Sequence, residues 1–139
     1  MALRINGKDE ESIPRSQFVI KVKRVYEKAA ASDGSRLLID RIWPRGLKKN
    51  DLALDSWIKE VAPSDRLRKW FGHDPQKWKG FRKQYFAELR VKAKTWAPIL
   101  EIARESNVTL LYGARDAEHN NAVALRDFLI AKLKKLEGL

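Results

Sequence analysis

The segment Arg36-Leu37-Leu38-Ile39-Asp40 decides which class of fold the chain can adopt. Its three central residues are all apolar, and a strand without alternating polar positions is typical of one that is covered on both faces. A second short segment, Val108-Thr109-Leu110-Leu111-Tyr112, has the same character. Several helical stretches separate the two segments, which is ample chain for a crossover, so we expect these two strands to be parallel.

An earlier strand is predicted by strict alternation near the start of the chain. Phe18, Ile20 and Val22 share one face, and Lys21 and Lys23 share the other, which is typical of a half-exposed strand. The connection to the next strand is too short for an ordinary helical crossover, and the general rule would make this pair antiparallel. The sequence leaves this orientation open.

Helical spacing of apolar residues predicts several helices around these strands. The apolar stripes run over Leu54 to Val61, Leu67 to Phe71, Trp78 to Leu89, Trp96 to Ala103 and Leu125 to Leu136. Ser64 is a predicted N-cap, and Asp74 followed by Pro75 is a strong signal for a helix start. The sequence therefore predicts an α/β fold, with a small, mostly parallel sheet of about three strands flanked by several helices, Rossmann-like in outline.

Composition limits the class of protein. The 139 residues, of which 44% are hydrophobic, suffice for one core. We expect a single α/β domain over residues 18–139, preceded by a flexible tail over residues 1–17, which are polar, mixed in charge and aperiodic. No apolar run approaches the roughly 20 residues of a membrane span, and the N-terminus lacks the apolar region of a secretory signal. Because cysteine is absent, disulfides and thiolate metal sites are excluded. A cytoplasmic protein without a membrane partner is expected.

The formal net charge of +11 has two interpretations. Clustered basic residues gain affinity for nucleic acid by releasing counterions from its phosphates. A solvated surface that is merely basic is the alternative, because the charge is spread along the chain. The sequence leaves both open, and it does not indicate the oligomeric state.

Polar residues follow each of the two buried strands. They are Asp40, Arg41, Trp43 and Arg45 after one strand, and Tyr112, Arg115 and Asp116 after the other. Ligands bind just beyond the carboxyl ends of parallel strands in open α/β sheets, so both groups are expected to face one crevice. Guanidinium groups suit phosphate or carboxylate, and the start of the last helix adds free N–H groups. The alternative is structural, with Asp40–Arg115 or Arg41–Asp116 ion pairs that brace the sheet.

His73 lies on a glycine-flanked turn immediately before a helix. A proton donor or acceptor could lie there, or the imidazole could bond to the backbone of its own turn. Ser64 and Asp74 are interpreted as helix caps rather than as reactive groups.

Three functional hypotheses follow. In the first, an enzyme or former enzyme acts on an anionic small molecule such as a nucleotide or phosphorylated metabolite. Its anion is held by Arg41, Arg45 and Arg115, protons are handled by Asp40 or Asp116 with His73, and the ligand is oriented by Tyr85 and Tyr112. Trp43 is a further ligand-binding residue. In the second, the protein binds nucleic acid through residues such as Lys21, Lys23, Lys48 and Lys49, with Trp43 or Trp70 stacked on a base. In the third, it is a non-catalytic interaction domain.

No metal site and no cofactor are predicted. The two histidines are far apart, and the carboxylates show no tight spacing with them. A glycine-rich phosphate loop and a dinucleotide fingerprint are both missing.

Long ordered blocks resemble the YeaO-like branch of the domain of unknown function 488 family. The blocks are Ile20–Tyr26, Asp33–Gly46, Ala62–Ser64, Leu67–Pro75 and Thr109–Asp116. The resemblance extends from about residue 18 to the last helix, and it implies a small intracellular α/β protein of bacteria or archaea with no established activity. The wider family is similar at the strand ends that correspond to Asp40, Arg41, Tyr112 and Arg115, so the resemblance supports the location of the site and not a reaction.

Overall fold

Four parallel strands form the sheet of the computed structural model, which describes residues 19–138. The strands are β1 (Ile20–Arg24), β2 (Ser35–Leu38), β3 (Ser56–Trp57) and β4 (Val108–Tyr112). Their spatial order is β1-β4-β2-β3. The strand order and the parallel pairing confirm the predicted α/β fold. The predicted tail over residues 1–17, together with Phe18, lies outside the described residues.

The four helices are α1 (Asp65–Phe71), α2 (Trp78–Arg90), α3 (Ala93–Ala103) and α4 (Asn121–Leu136). Two of the predicted starts are confirmed. The Ser64 side chain caps α1 by accepting from Leu67 N–H, and the Asp74 side chain accepts from Gln76 N–H at the 3₁₀ turn that leads into α2. No helix within residues 19–138 is long and apolar enough to cross a membrane.

The order of the strands settles the orientation that the sequence left open. β1 pairs with β4 and not with β2. β2 also pairs with β4, and both pairings are parallel. β4, the last strand in the chain, therefore lies between the first two, with Leu110 opposite Val22 on one side and Leu37 on the other. All five residues of β4 are buried, as expected for a central strand.

The two faces of the sheet carry different layers. Leu37, Ile39 and Leu110 belong to a large core that includes buried residues from all four helices. Leu38 and Leu111 point to the other face, where they form a smaller cluster with residues from the long connection between β2 and β3. The period of two along each strand divides its side chains between these layers.

The helix predicted over Leu54 to Val61 is wrong. The backbone N–H groups of Asp55 and Ile58 donate to the carbonyls of Arg36 and Leu38, at 2.9 and 2.8 Å, so this segment pairs with β2 as β3 and then forms a 3₁₀ turn. Its apolar residues are divided between the two layers, because Leu54 packs in the smaller cluster and Val61 in the large core. The sheet thereby has four strands rather than about three.

A buried ionic cluster closes the end of the sheet where β2 and β4 begin. The Asp33 carboxylate is 1% exposed and accepts from Lys23 at 2.8 Å and from Arg36 at 2.6 Å. It also accepts from the backbone N–H of Ala30, and the Asp33 carbonyl accepts from the Thr109 hydroxyl. Burial alone would raise the pKa of Asp33, but these hydrogen bonds and the charge of Lys23 outweigh it and hold that pKa far below its ordinary value.

Candidate functional site

A crevice of about 420 Å³ lies at the carboxyl ends of β2 and β4. Five parts of the chain line it: the segment after β1, the stretch after β2, the end of α1 with its following turn, the stretch after β4, and the start of α4. The lining includes Tyr26, Asp40, Arg41, Trp43, Arg45, Arg68, His73, Gly113 and Asn121. The fold thus brings the stretches that follow two neighbouring parallel strands to one opening.

Asp40 lies at the base of the site and connects three elements. Its Oδ2 accepts from the backbone N–H of Gly113 at 2.8 Å, and its Oδ1 accepts from Asn121 Nδ2 at 3.3 Å. Its carbonyl accepts from Trp57 Nε1 at 2.7 Å. Burial raises the pKa of the Asp40 carboxyl, and the bonds from Gly113 and Asn121 and the neighbouring His73 and Arg68 oppose that rise only in part.

Arg41 and Arg68 provide two guanidinium groups on the side of the crevice formed by α1. Both side chains are 36% exposed, and both approach the exposed carboxylate of Asp65, at 3.7 Å from Arg41 Nε and 3.2 Å from Arg68 Nη2. The Nε atom of each arginine is buried and has no hydrogen-bond partner among the described residues. Exposed ion pairs contribute little free energy, so Asp65 leaves much of this positive charge available to a ligand.

His73 has a positive φ of 59°, the only such value among the non-glycine residues of the described chain. It follows Gly72, which ends α1 in the left-handed conformation with φ 53°. A side chain in this region costs about 1–2 kcal/mol, and residues held there cluster at functional sites. The strained turn places the exposed imidazole on the lining of the crevice.

Aromatic side chains form part of the rim. The Tyr26 hydroxyl donates to the carbonyl of Arg45 at 2.8 Å, which holds the exposed Arg45 backbone near the opening. Trp43 donates from Nε1 to the Leu47 carbonyl at 2.6 Å and packs edge-on against Trp57 at 5.3 Å between ring centroids. These bonds fix the ring positions, so the rim offers apolar surface beside the charged groups.

The start of α4 forms the remaining wall. Asn120 is the N-cap, and its Oδ1 accepts from Val123 N–H at 3.0 Å. Asn121 is the first residue of the helix and donates to Asp40, as described above. The positive end of a sixteen-residue helix is therefore directed at the crevice.

Five of the nine site residues predicted from the sequence line the crevice: Asp40, Arg41, Trp43, Arg45 and His73. The other four, Tyr85, Tyr112, Arg115 and Asp116, are not among its lining residues. The structure therefore brings together the residues that follow β2 and the turn after α1, but it does not bring the Arg115 guanidinium to the same opening.

Local contacts explain the positions of these four residues. Tyr85 is fully buried and donates to the Val61 carbonyl at 2.6 Å, and burial raises its pKa well above the ordinary value. Tyr112 is buried at the end of β4, and Arg115 is exposed. Asp116 accepts from the N–H groups of Glu118 and His119 and contacts His119 Nδ1 at 2.9 Å. The backbone hydrogen bond from Glu118 and the contact with His119 lower the pKa of Asp116. The Asp116 carboxylate thus stabilises the turn before α4.

Neither ion pair weighed from the sequence is found among the described residues. Asp40 bonds to Gly113 and Asn121 rather than to Arg115, and Arg41 approaches Asp65 rather than Asp116. In residues 19–138 no three His, Asp or Glu side chains are grouped closely enough to hold a metal ion.

Sequence reasoning missed Arg68 and Tyr26 as lining residues. Arg68 lies three positions before the buried Phe71 on α1, so the two side chains share a helix face. That spacing is the signal which would have placed Arg68 beside the site. Tyr26 offered no comparable signal, because it follows β1 in an irregular segment.

The fold and the site define a small parallel α/β protein with a basic crevice at its strand ends. The chain belongs to the family described as the inactive DUF488-N3 subclade, whose profile matches residues 19–138. This match and the relatives below confirm the family resemblance found from the sequence.

The chain is similar to bacterial proteins. It is 47% identical over 110 residues to the uncharacterized protein YeaO of Escherichia coli (strain K12), covering 79% of this chain and 96% of that one. It is 37% identical over 110 residues to the uncharacterized protein Rv3073c of Mycobacterium tuberculosis (strain ATCC 25618 / H37Rv), covering 79% and 92%. The uncharacterized protein Mb3100c of Mycobacterium bovis (strain ATCC BAA-935 / AF2122/97) matches to the same extent. No solved structure gives a significant match.

Proposed function

We propose that the crevice binds an anionic small molecule. The observation that carries this proposal is the charge of its lining, in which Arg41, Arg45 and Arg68 supply three guanidinium groups and Asp40 supplies the one carboxylate among the described lining residues. Guanidinium groups bind phosphate and carboxylate through paired hydrogen bonds. The start of α4 supports the same preference.

The size and the rim of the crevice favour an organic anion. A volume of about 420 Å³ falls in the range of roughly 300–1,000 Å³ found for small-molecule sites. Tyr26 and Trp43 add aromatic surface beside the arginines. A phosphorylated sugar or a nucleotide matches this combination of charge and apolar surface.

Binding without turnover is the version that we favour. The described lining contains no serine, threonine or cysteine that could act as a nucleophile, and the matching family profile describes an inactive subclade. Asp40 and His73 are then ligand contacts. A reaction in which they transfer protons is the less supported version, and Asp116 lies outside the lining.

Calorimetric titration with inorganic phosphate, sugar phosphates and nucleoside monophosphates tests the proposal. We expect at least one of these anions to bind, with affinity reduced about tenfold or more in Arg41→Gln and Arg68→Gln, since a charged hydrogen bond contributes about 1.5–3 kcal/mol. Arg66→Gln is the matched control, because Arg66 is exposed on the same helix and does not line the crevice. The absence of binding across the panel, or equal losses in all three variants, would contradict the proposal.

Single-stranded nucleic acid is a second candidate ligand, supported by a surface that adjoins the crevice and shares Arg68 with it. Residues 65–83, which span α1 and the first part of α2, contain seven basic and two acidic residues. Trp70 is 41% exposed there, and Lys77 Nζ lies 5.1 Å from the centroid of its ring. An exposed aromatic ring among basic side chains is the arrangement on which bases stack.

A further inference from the structure

We propose that Asp40 selects ligands that carry a hydroxyl or amino donor in addition to their anionic group. This inference rests on the proposed function, because it concerns the ligand of the same crevice. It narrows the ligand class to donor-bearing anions such as sugar phosphates and ribonucleotides, and it disfavours bare inorganic anions.

The geometry leaves hydrogen-bonding capacity on the Asp40 carboxylate. One oxygen accepts from Gly113 N–H and the other from Asn121 Nδ2, whereas an ionised carboxylate offers about four acceptor positions. Each oxygen therefore keeps one acceptor position that no hydrogen bond among the described residues fills. Because Asp40 is on the lining of the crevice, a bound ligand is the natural source of that donor.

The direction of the carboxylate is fixed by the fold. Gly113 provides a backbone N–H directly after β4, and Asn121 provides an amide from the first turn of α4. A group held by two elements of secondary structure loses little conformational entropy when it binds a ligand. Asp40 is thus positioned before the ligand arrives.

Electrostatics makes the same carboxylate selective. An anion that binds to Arg41, Arg45 and Arg68 shares the crevice with Asp40, and two like charges repel strongly where water is partly excluded. A ligand hydroxyl directed at Asp40 instead forms a charge-assisted hydrogen bond. One residue therefore rejects a bare anion and accepts an anion that brings a donor.

Two pairs of probes separate the effect of a ligand hydroxyl on affinity from the effect of the phosphate charge. Glycerol phosphate and propyl phosphate differ in their hydroxyl groups, as do adenosine monophosphate and its 2′,3′-dideoxy analogue. Affinities for both pairs and for sulfate, an inorganic anion without an O–H donor at neutral pH, are measured by calorimetry with the full chain and with Asp40→Asn. This variant preserves the local bonding, because its carbonyl can accept from Gly113 while the Asn121 amide turns to present its oxygen. Asp40→Glu is the second variant, since it keeps the charge and displaces the carboxylate by one methylene.

The expected result is a preference of about tenfold or more for the hydroxylated member of at least one pair, as for a bond worth about 1.4 kcal/mol. In Asp40→Asn that preference falls to about threefold or less, and sulfate binds more tightly than to the unmodified chain. In Asp40→Glu the preference also falls, but the affinity for sulfate does not increase.

Three results would overturn the inference. They are equal affinity of the unmodified chain for both members of each pair, an undiminished preference in Asp40→Asn, and no gain in the affinity of Asp40→Asn for sulfate. If all the phosphate esters bind the unmodified chain without preference, only the inference fails. If none of the probes binds, the proposed function fails together with it.

Discussion

Asp40 Oδ2 accepts a hydrogen bond of 2.8 Å from the backbone N–H of Gly113, across 73 residues of sequence. This bond joins the stretch after β2 to the stretch after β4, at the edge of the sheet where the crevice lies. Because the carboxylate is also part of the lining, the residue that ties the two strand ends together is in contact with the candidate ligand site.

Asp33→Asn should lower the free energy of unfolding by about 3–5 kcal/mol near neutral pH, because it removes one partner from a buried ionic cluster. Urea denaturation measures the change. Asp51→Asn is the matched control, since Asp51 also accepts a backbone N–H at a 3₁₀ turn but is exposed. An equal, small effect of both variants would contradict the assigned role of Asp33.

The same carboxylate predicts an acid dependence of stability. The pKa of Asp33 is lowered in the folded state, so its contribution is fully present above the ordinary value of 3.8 and is lost as the pH falls below it. Between pH 5 and pH 2 the unmodified chain should therefore lose more stability than Asp33→Asn does. An equal loss of unfolding free energy in the two proteins over this pH range would count against this explanation.

His73→Gly should raise the free energy of unfolding by about 1 kcal/mol, because glycine adopts a φ of 59° without the side-chain strain. The affinity for the anion should fall, because the imidazole leaves the lining of the crevice. His73→Ala separates the two effects, since alanine lacks the imidazole but keeps the strain of a side chain at this φ. Thermal denaturation and calorimetric titration measure stability and affinity. Unchanged affinity in both variants would remove His73 from the site.

Arg45→Gln and Arg115→Gln should differ in their effect on anion affinity. Arg45 lines the crevice, so its loss should weaken binding by about tenfold. Arg115 is exposed and is not a lining residue, so its loss should change affinity by less than about twofold after screening by salt. Titration at about 0.15 M salt checks the comparison. A larger effect of Arg115→Gln would support the sequence-based prediction that Arg115 also binds the anion.

Tyr85→Phe should lower stability by about 1–2 kcal/mol, because the buried Val61 carbonyl loses its donor. Anion affinity should stay within about twofold of the unmodified chain, because Tyr85 lies outside the lining. Combined denaturation and titration measurements test both statements. A loss of affinity with unchanged stability would instead support the ligand-orienting role predicted from the sequence.

Trp70→Ala tests the second candidate function. If single-stranded nucleic acid binds along α1 and α2, removal of the exposed ring should weaken binding of a labelled oligonucleotide by about 1–3 kcal/mol. The affinity of the unmodified chain should also fall steeply between 50 and 200 mM salt, on the order of tenfold or more. Fluorescence anisotropy measures both effects, and Trp70→Phe, which keeps an aromatic face, is the control. Equal binding by the alanine variant would exclude stacking on Trp70.

The strand ends were predictable from the sequence because they depend on local composition. Apolar runs that stop at Asp40 and Tyr112 mark the ends of two parallel strands, and those ends must lie at one edge of the sheet. The N-caps Ser64 and Asp74 were predictable for the same reason, since each forms its bond within three residues.

The remaining features depend on contacts that are distant in sequence or on the path of a loop. Trp57 has the spacing of a helical residue, but pairing with β2 determines its conformation. Arg115 comes soon after β4, yet the turn formed by Asp116 with Glu118 and His119 lies between the strand and α4, and Arg115 is exposed there. The periodicity of apolar residues predicts neither the pairing of Trp57 with β2 nor the exposed position of Arg115.

The central position of β4 also constrains how the chain can fold while it is being synthesised. The register pairs Ile20 and Ser35 with Val108, so until β4 has been synthesised β1 has no neighbouring strand and β2 has only the two-residue β3. Until then β1 is a strand without a partner, and completion of the sheet depends on a segment that is made after α1, α2 and α3.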